Sequence, residues 1–153
     1  MGLDMYLEGK NSDGSFTEVA YWRKANQIHK WFVDNVQNGI DKCQRSPVTR
    51  QQLSDLLVVC NAVIDSITLI DSYVYTGQHS GADTNYKLVD DYIEGQVIEN
   101  PEVAEELLPT QGGFFFGSTA YDQFYVEDVK DTIEQLKKVL TLEFKEFVYQ
   151  SSW

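Results

Sequence analysis

Apolar and polar residues along the chain change their spacing several times, and each change predicts a different element. Leu3-Asp4-Met5-Tyr6-Leu7 and residues 16–22 have the composition of short strands. The turn cluster Lys10-Asn11-Ser12-Asp13-Gly14-Ser15 lies between them with Asp-Gly at its centre, so the pair predicts a β-hairpin. Ala25, Ile28, Phe32, Val33 and Val36 then recur at helical spacing and predict an amphipathic helix over residues 23–37, closed by Asn38-Gly39. Thr49-Arg50-Gln51-Gln52 is a capping box, a Thr followed three residues later by Gln. Leu53, Leu56, Leu57, Cys60, Val63, Ile64 and Ile67 continue from it as one buried helical face.

Residues 72–75 are β-prone and 76–85 read as a polar loop, whereas 86–98 mixes acids with Leu88, Val89, Tyr92, Ile93, Val97 and Ile98 and fits neither period. Pro101 opens a short acidic helix with Asn100 as its cap. Residues 109–113 predict a tight turn and 114–117 a short strand. Val126, Val129, Ile133, Leu136, Leu140, Phe144 and Phe147 form one apolar stripe, so 126–147 predicts a single long helix. The sum is one α+β domain over residues 1–153: a small antiparallel sheet (strands near 3–8, 16–22 and 113–117) covered by about three main helices. The tail after about residue 148 is expected to be loose.

At 153 residues, with 42% hydrophobic side chains, the chain can bury a sizeable core. No apolar run approaches the roughly 20 residues that span a bilayer, so no membrane partner is expected. The first residues carry an acid inside their apolar stretch and no basic lead, unlike a signal peptide. Gly2 lacks the later Ser or Thr of a myristoylation signal. Cys43 and Cys60 are too few for a disulfide scaffold, which points to a reduced compartment and a cytoplasmic location.

A net charge of −12 argues against direct nucleic-acid binding, which needs a basic face. The charge is unevenly spread. Residues 21–50 hold six basic side chains against two acids, a local +4, while residues 83–107 hold eight acids against Lys87 alone.

Two segments carry candidate chemistry. On a helix over 23–37, Arg23, Asn26 and Lys30 share one face as a polar fork for a phosphate or carboxylate. His29 falls on the apolar side and reads as a satisfied core histidine rather than a base. In residues 107–121, Gly112 and Gly113 allow close backbone approach, and Thr110, Gln111, Ser118 and Tyr121 are polar groups beside apolar ones. If Phe114 and Phe116 enter the core, Phe115 faces the other way. A ligand would then meet Arg23, Asn26 and Lys30 with its charge, stack a base on Phe115 or Tyr121, and show polar edges to Gln111, Gly112 and Gly113. This requires the 23–37 helix and the 110–118 turn to line one pocket. His29 and His79 lack partners at metal-ligand spacing, and no dinucleotide fingerprint, Walker loop or Gly-x-Ser-x-Gly elbow occurs. Neither metal nor cofactor is therefore expected, and catalysis is not the leading expectation.

Met1-Gly2-Leu3-Asp4-Met5-Tyr6-Leu7, Glu18-Val19-Ala20-Tyr21-Trp22-Arg23-Lys24-Ala25-Asn26 and Leu108-Pro109-Thr110-Gln111-Gly112-Gly113-Phe114-Phe115-Phe116-Gly117-Ser118 resemble, in the same order, small acidic proteins encoded by bacteriophages and prophages. That group carries no settled biochemical activity, and residues 68–100 and those after 142 lie outside the resemblance. It implies a context, an accessory protein that counters host defence, and no catalytic residue. The leading expectation is a non-catalytic phage protein that binds a small anionic, nucleotide-like ligand in the host cytoplasm. An alternative is an acidic inhibitor that imitates a polyanion at the basic groove of a host nuclease or CRISPR effector, through Asp90, Asp91, Glu94, Glu99, Glu102, Glu105 and Glu106. These acids would form one exposed lobe. A third is an enzyme acting on a phosphorylated metabolite.

Overall fold

The computed structural model describes residues 2–153 and is a single α+β domain with two antiparallel sheets. The Asp-Gly turn joins β1 (Asp4–Lys10) to β2 (Phe16–Arg23), paired from Asp4 with Arg23 to Lys10 with Phe16. α1 (Asn26–Val36), β3 (Ser46–Val48) and α2 (Arg50–Ser66) follow. The capping box of α2 is complete: Thr49 Oγ1 accepts from Gln52 N at 3.1 Å, and Gln52 Oε1 accepts from Thr49 N at 2.9 Å. β4 (Leu69–His79) and β5 (Val89–Ile98) form the second sheet, a two-stranded hairpin. The chain ends with α3 (Glu102–Leu107), α4 (Gln123–Val139) and β6 (Phe147–Ser152).

The larger sheet has the order β2-β1-β6-β3. Met5 and Leu7 of β1 and Phe147 and Tyr149 of β6 turn inward. They meet Ile28 and Phe32 of α1, Leu53 and Leu56 of α2, and Val129 and Leu136 of α4, all buried in one core. Phe32 stacks on Tyr149 with centroids 4.0 Å apart and planes 7° apart. No helix among the described residues is long and apolar enough to cross a membrane.

Four expectations are corrected. The first helix begins at Asn26, because Arg23 is the last paired residue of β2 and Lys24 turns the chain at φ +55°. Residues 113–117 are a turn rather than a strand: Phe115 has φ +56°, and Phe116 N donates back to Gly113 O at 3.2 Å. Only Phe116 of the three phenylalanines is buried.

The last helix stops at Val139, where Thr141 N bonds Lys138 O and Leu142 N bonds Val139 O. Phe144 and Phe147 stay in phase with the helical stripe although the chain has left the helix, Phe147 being buried in the same core from β6 and Phe144 packed against that core. Phe144 covers Gly9, where an added Cβ would lie 2.4 Å from its ring. The tail is not loose, since β6 lies between β1 and β3 and places Tyr149 and Ser151 among the buried residues. Residues 86–98 resist a period because none of them before Ile98 is buried, so no apolar face is set off from a polar one.

Candidate functional site

The site is built around the corner where β2 passes into α1. Asn26, 2% exposed, turns its amide into the 110–118 loop and holds it in three places. Its Nδ2 donates to Phe116 O at 3.1 Å and Ser118 O at 2.9 Å, and its Oδ1 accepts from Gln111 N at 3.0 Å. One side chain thus satisfies three backbone groups that a loop burying Phe116 would otherwise leave unpaired. Gly113 makes room beneath the loop, since a Cβ there would lie 2.6 Å from the Phe116 ring. At Gly2, with φ +137°, a Cβ would meet Lys24 Cε at 2.9 Å, Arg23 Nη2 at 3.1 Å and Phe115 O at 3.4 Å. The two cationic side chains and the loop therefore converge there.

These elements line a cleft of about 870 Å³. Arg23, Lys24, Asn26 and Gln27 form one wall and Thr110, Gly113, Phe115 and Ser118 another. Residues 75–78 of β4 close one side, and Asp122, Phe124, Tyr125 and Asp128 of the α4 end form the floor. The expected meeting of the first helix with the 110–118 turn is found, although the polar fork is not. Arg23 stands on the strand, its guanidinium 2.7 Å from Asp4 Oδ1. The Tyr21 hydroxyl donates to the same oxygen, and with Arg23 it holds the Asp4 carboxyl below its ordinary pKa. Lys30 pairs with Asp34 at 2.9 Å and faces a separate hollow beside Trp31, Leu107 and Pro109. Gln111, Gly112 and Tyr121 lie outside the cleft lining. The Tyr121 hydroxyl accepts from Thr110 N at 3.1 Å and so braces the loop.

Sequence reasoning missed the floor. Asp122 caps α4, its Oδ1 accepting from Phe124 N at 2.9 Å and Tyr125 N at 3.1 Å, while its Oδ2 is buried with no partner among the described residues. Burial raises its carboxyl pKa. Asp128 is half-buried, and burial, followed by the charges of Asp131, Glu127 and Asp122, pushes its carboxyl up to about 7. An Asp directly ahead of an apolar stripe signals a helix cap. Nothing in the sequence singles out Asp128 among 24 acids.

The Asp128 shift has a stability consequence with a definite sign. The folded state holds this proton more tightly than the unfolded chain, so the contribution is full below pH ~4 and is lost as pH rises through about 7. Asp128→Asn should therefore match the wild type at pH ~4 and exceed it at pH ~8 by about 2 kcal/mol, allowing for partial exposure. Urea denaturation at the two values checks this; equal stabilities at high pH would contradict it.

His29 is a satisfied core residue. Its Nδ1 lies 2.7 Å from the Tyr149 hydroxyl and its Nε2 2.9 Å from Asp41 Oδ2, while Asp41 Oδ1 accepts from Trp153 Nε1 at 2.9 Å. The acidic segment is carried by two consecutive elements and the connection between them. Asp90, Asp91 and Glu94 stand on the hairpin; Glu102 and Glu105 are on α3, with Glu106, and Glu99 lies in the connection. At the hairpin tip His79 sits between Asp91 and Asp83 at 2.6 and 2.9 Å, which raises its pKa. No group of three or more His, Cys, Asp or Glu among the described residues is placed to hold a metal ion. No protein-family model, no curated protein and no solved structure matches the chain.

Proposed function

We propose that this protein is a non-catalytic phage accessory protein that binds a small anionic, nucleotide-like ligand in the cleft between α1, the 110–118 loop and the β4–β5 hairpin, and so withdraws a signal from host defence. The supporting observation is the Asn26 clamp, which sets a cationic corner, Arg23 and Lys24, beside the half-exposed ring of Phe115. The corner meets the charge of a phosphate, and Phe115 and Phe124 offer stacking faces worth about 1–3 kcal/mol per base. Binding is favoured over catalysis because three of the five hydroxyls that line the cleft are engaged in structural hydrogen bonds. Thr110 Oγ1 donates to Thr119 O, Ser118 Oγ accepts from Ala120 N, and the Tyr125 hydroxyl donates to Leu108 O.

Calorimetry with linear and cyclic nucleotides tests this. At least one nucleotide should bind, and Lys24→Gln should weaken it about tenfold through loss of a charge-assisted hydrogen bond. A panel with no binder counts against the proposal.

A second reading rests on the hairpin, which exposes Tyr73 (67%) and Tyr92 (57%) beside Asp71, Asp90 and Glu94. A two-stranded ribbon of this kind is marginal alone and suits a basic partner groove. Under it, Asp90→Asn with Glu94→Gln would release a host protein, high salt would do the same, and nucleotide binding would be untouched.

A further inference from the structure

Resting on the nucleotide-cleft proposal, we propose that the α4 end of the cleft selects guanine, with Asp128 and Asp122 accepting the adjacent N–H donors of the base while its phosphate lies at the Arg23–Lys24 corner. The cleft lining carries opposite chemistries. The corner supplies donors and positive charge; the floor supplies carboxylate oxygens, which when ionised only accept. Asp122 is 2% exposed, and its Oδ2 is a buried acceptor without a partner. A buried oxygen in that state is costly until a donor reaches it. Asp128, six residues further along the chain in α4, lines the cleft as well, and no donor among the described residues bonds its carboxyl.

The bases differ in what they can give such a floor. Guanine presents N1–H and the N2 amino group side by side, a matched pair for one carboxylate with a further N–H to spare. Hypoxanthine keeps N1–H and lacks the amino group. Adenine presents an amino group next to the N1 lone pair, which an ionised carboxylate repels. The cleft volume, about 870 Å³, lies within the range of sites that enclose one small ligand.

The acid–base state of Asp128 gives the selection a pH signature. Its carboxyl titrates at about 7, so it is an acceptor pair above that value and part donor below it. The titratable and charged groups around it are Asp122, Tyr125, Glu127 and Asp131 of α4, Arg23 and Lys24 of the β2–α1 corner, and Tyr75 of β4; residues 110–120 contribute none. Asp128, pushed up to about 7, governs the change between pH ~6 and ~8.

The test is calorimetry on the full chain with GMP, IMP and AMP at pH ~6 and ~8. At the higher pH, GMP should bind about tenfold or more tighter than AMP, with IMP between them. That advantage should shrink at the lower pH. The phosphate ionises alike in all three nucleotides and cancels from the ratio. Asp128→Asn, nearly isosteric and relieved of a buried charge, should bring GMP to the level of AMP; a thermal melt confirms its folding. The wild-type pH dependence is an independent check that needs no variant. Equal GMP and AMP affinity at the higher pH, an AMP preference, or a GMP preference that survives Asp128→Asn overturns guanine selection and leaves the nucleotide cleft standing. Binding of none of the three overturns guanine selection, and an empty panel of linear and cyclic nucleotides overturns both.

Discussion

A chain cut after Val148 is expected to be unfolded at room temperature. The five residues removed carry most of β6, which lies between β1 and β3 and pairs with both. Tyr149 goes with them, a fully buried ring stacked on Phe32 whose hydroxyl meets His29 Nδ1. So do the buried Ser151 and the Trp153 indole that donates to Asp41. An aromatic truncation alone costs about 3–5 kcal/mol, and here it is joined by an opened strand edge and a histidine left without a partner on one ring nitrogen. That sum is comparable to the whole stability of a small domain, about 5–15 kcal/mol. Far-ultraviolet circular dichroism and amide dispersion in NMR report the outcome. A truncated chain with a native spectrum would show that β6 is dispensable.

Asn26→Leu is expected to cost about 3 kcal/mol and to abolish ligand binding. The substitution keeps the branched shape, in a somewhat larger side chain, but orphans Phe116 O, Ser118 O and Gln111 N together, each a backbone group that a neutral hydrogen bond satisfied. The loop then loses its hold on α1, and with it the position of Phe115 over the cleft. Asn26→Asp is the sharper probe. It is nearly isosteric and retains an acceptor for Gln111 N, yet it turns a second carboxylate oxygen towards two carbonyls. It should be as damaging as Asn26→Leu. Urea denaturation and hydrogen exchange of the Gln111 amide measure both variants; an Asn26→Asp protein of wild-type stability would remove the clamp from the account.

What the sequence disclosed, and what it hid, follows from how local each determinant is. The β1–β2 hairpin was legible because Asp13-Gly14 marks its turn, and the start of α2 because Thr49 and Gln52 sit three residues apart. The end of α4 was not legible. Phe144 and Phe147 continue its stripe in phase although the backbone has left the helix, and only the covering of Gly9 and the pairing of β6 distinguish the two. The β4–β5 hairpin was hidden because a ribbon with one buried residue in each strand has no apolar alternation to read.

The site was half visible. Asn26 and the 110–118 segment were expected to meet, and they do; the role of Asn26 as a clamp depends on a contact 85 to 92 residues away. Arg23 and Lys30 were separated by the positive φ of Lys24, a backbone conformation that side-chain spacing does not report. Asp128 became conspicuous only through its burial beside Asp122, a property of the folded chain.

The central claim is that a nucleotide occupies the cleft between α1, the 110–118 loop and the α4 floor. Two-dimensional ¹H–¹⁵N NMR with GMP added stepwise tests it most directly. The amides of Lys24, Gly113, Gly117, Ser118 and Asp128 should shift together and saturate along one curve. No shifts, or shifts confined to the hairpin tip around His79 and Asp83, would contradict it.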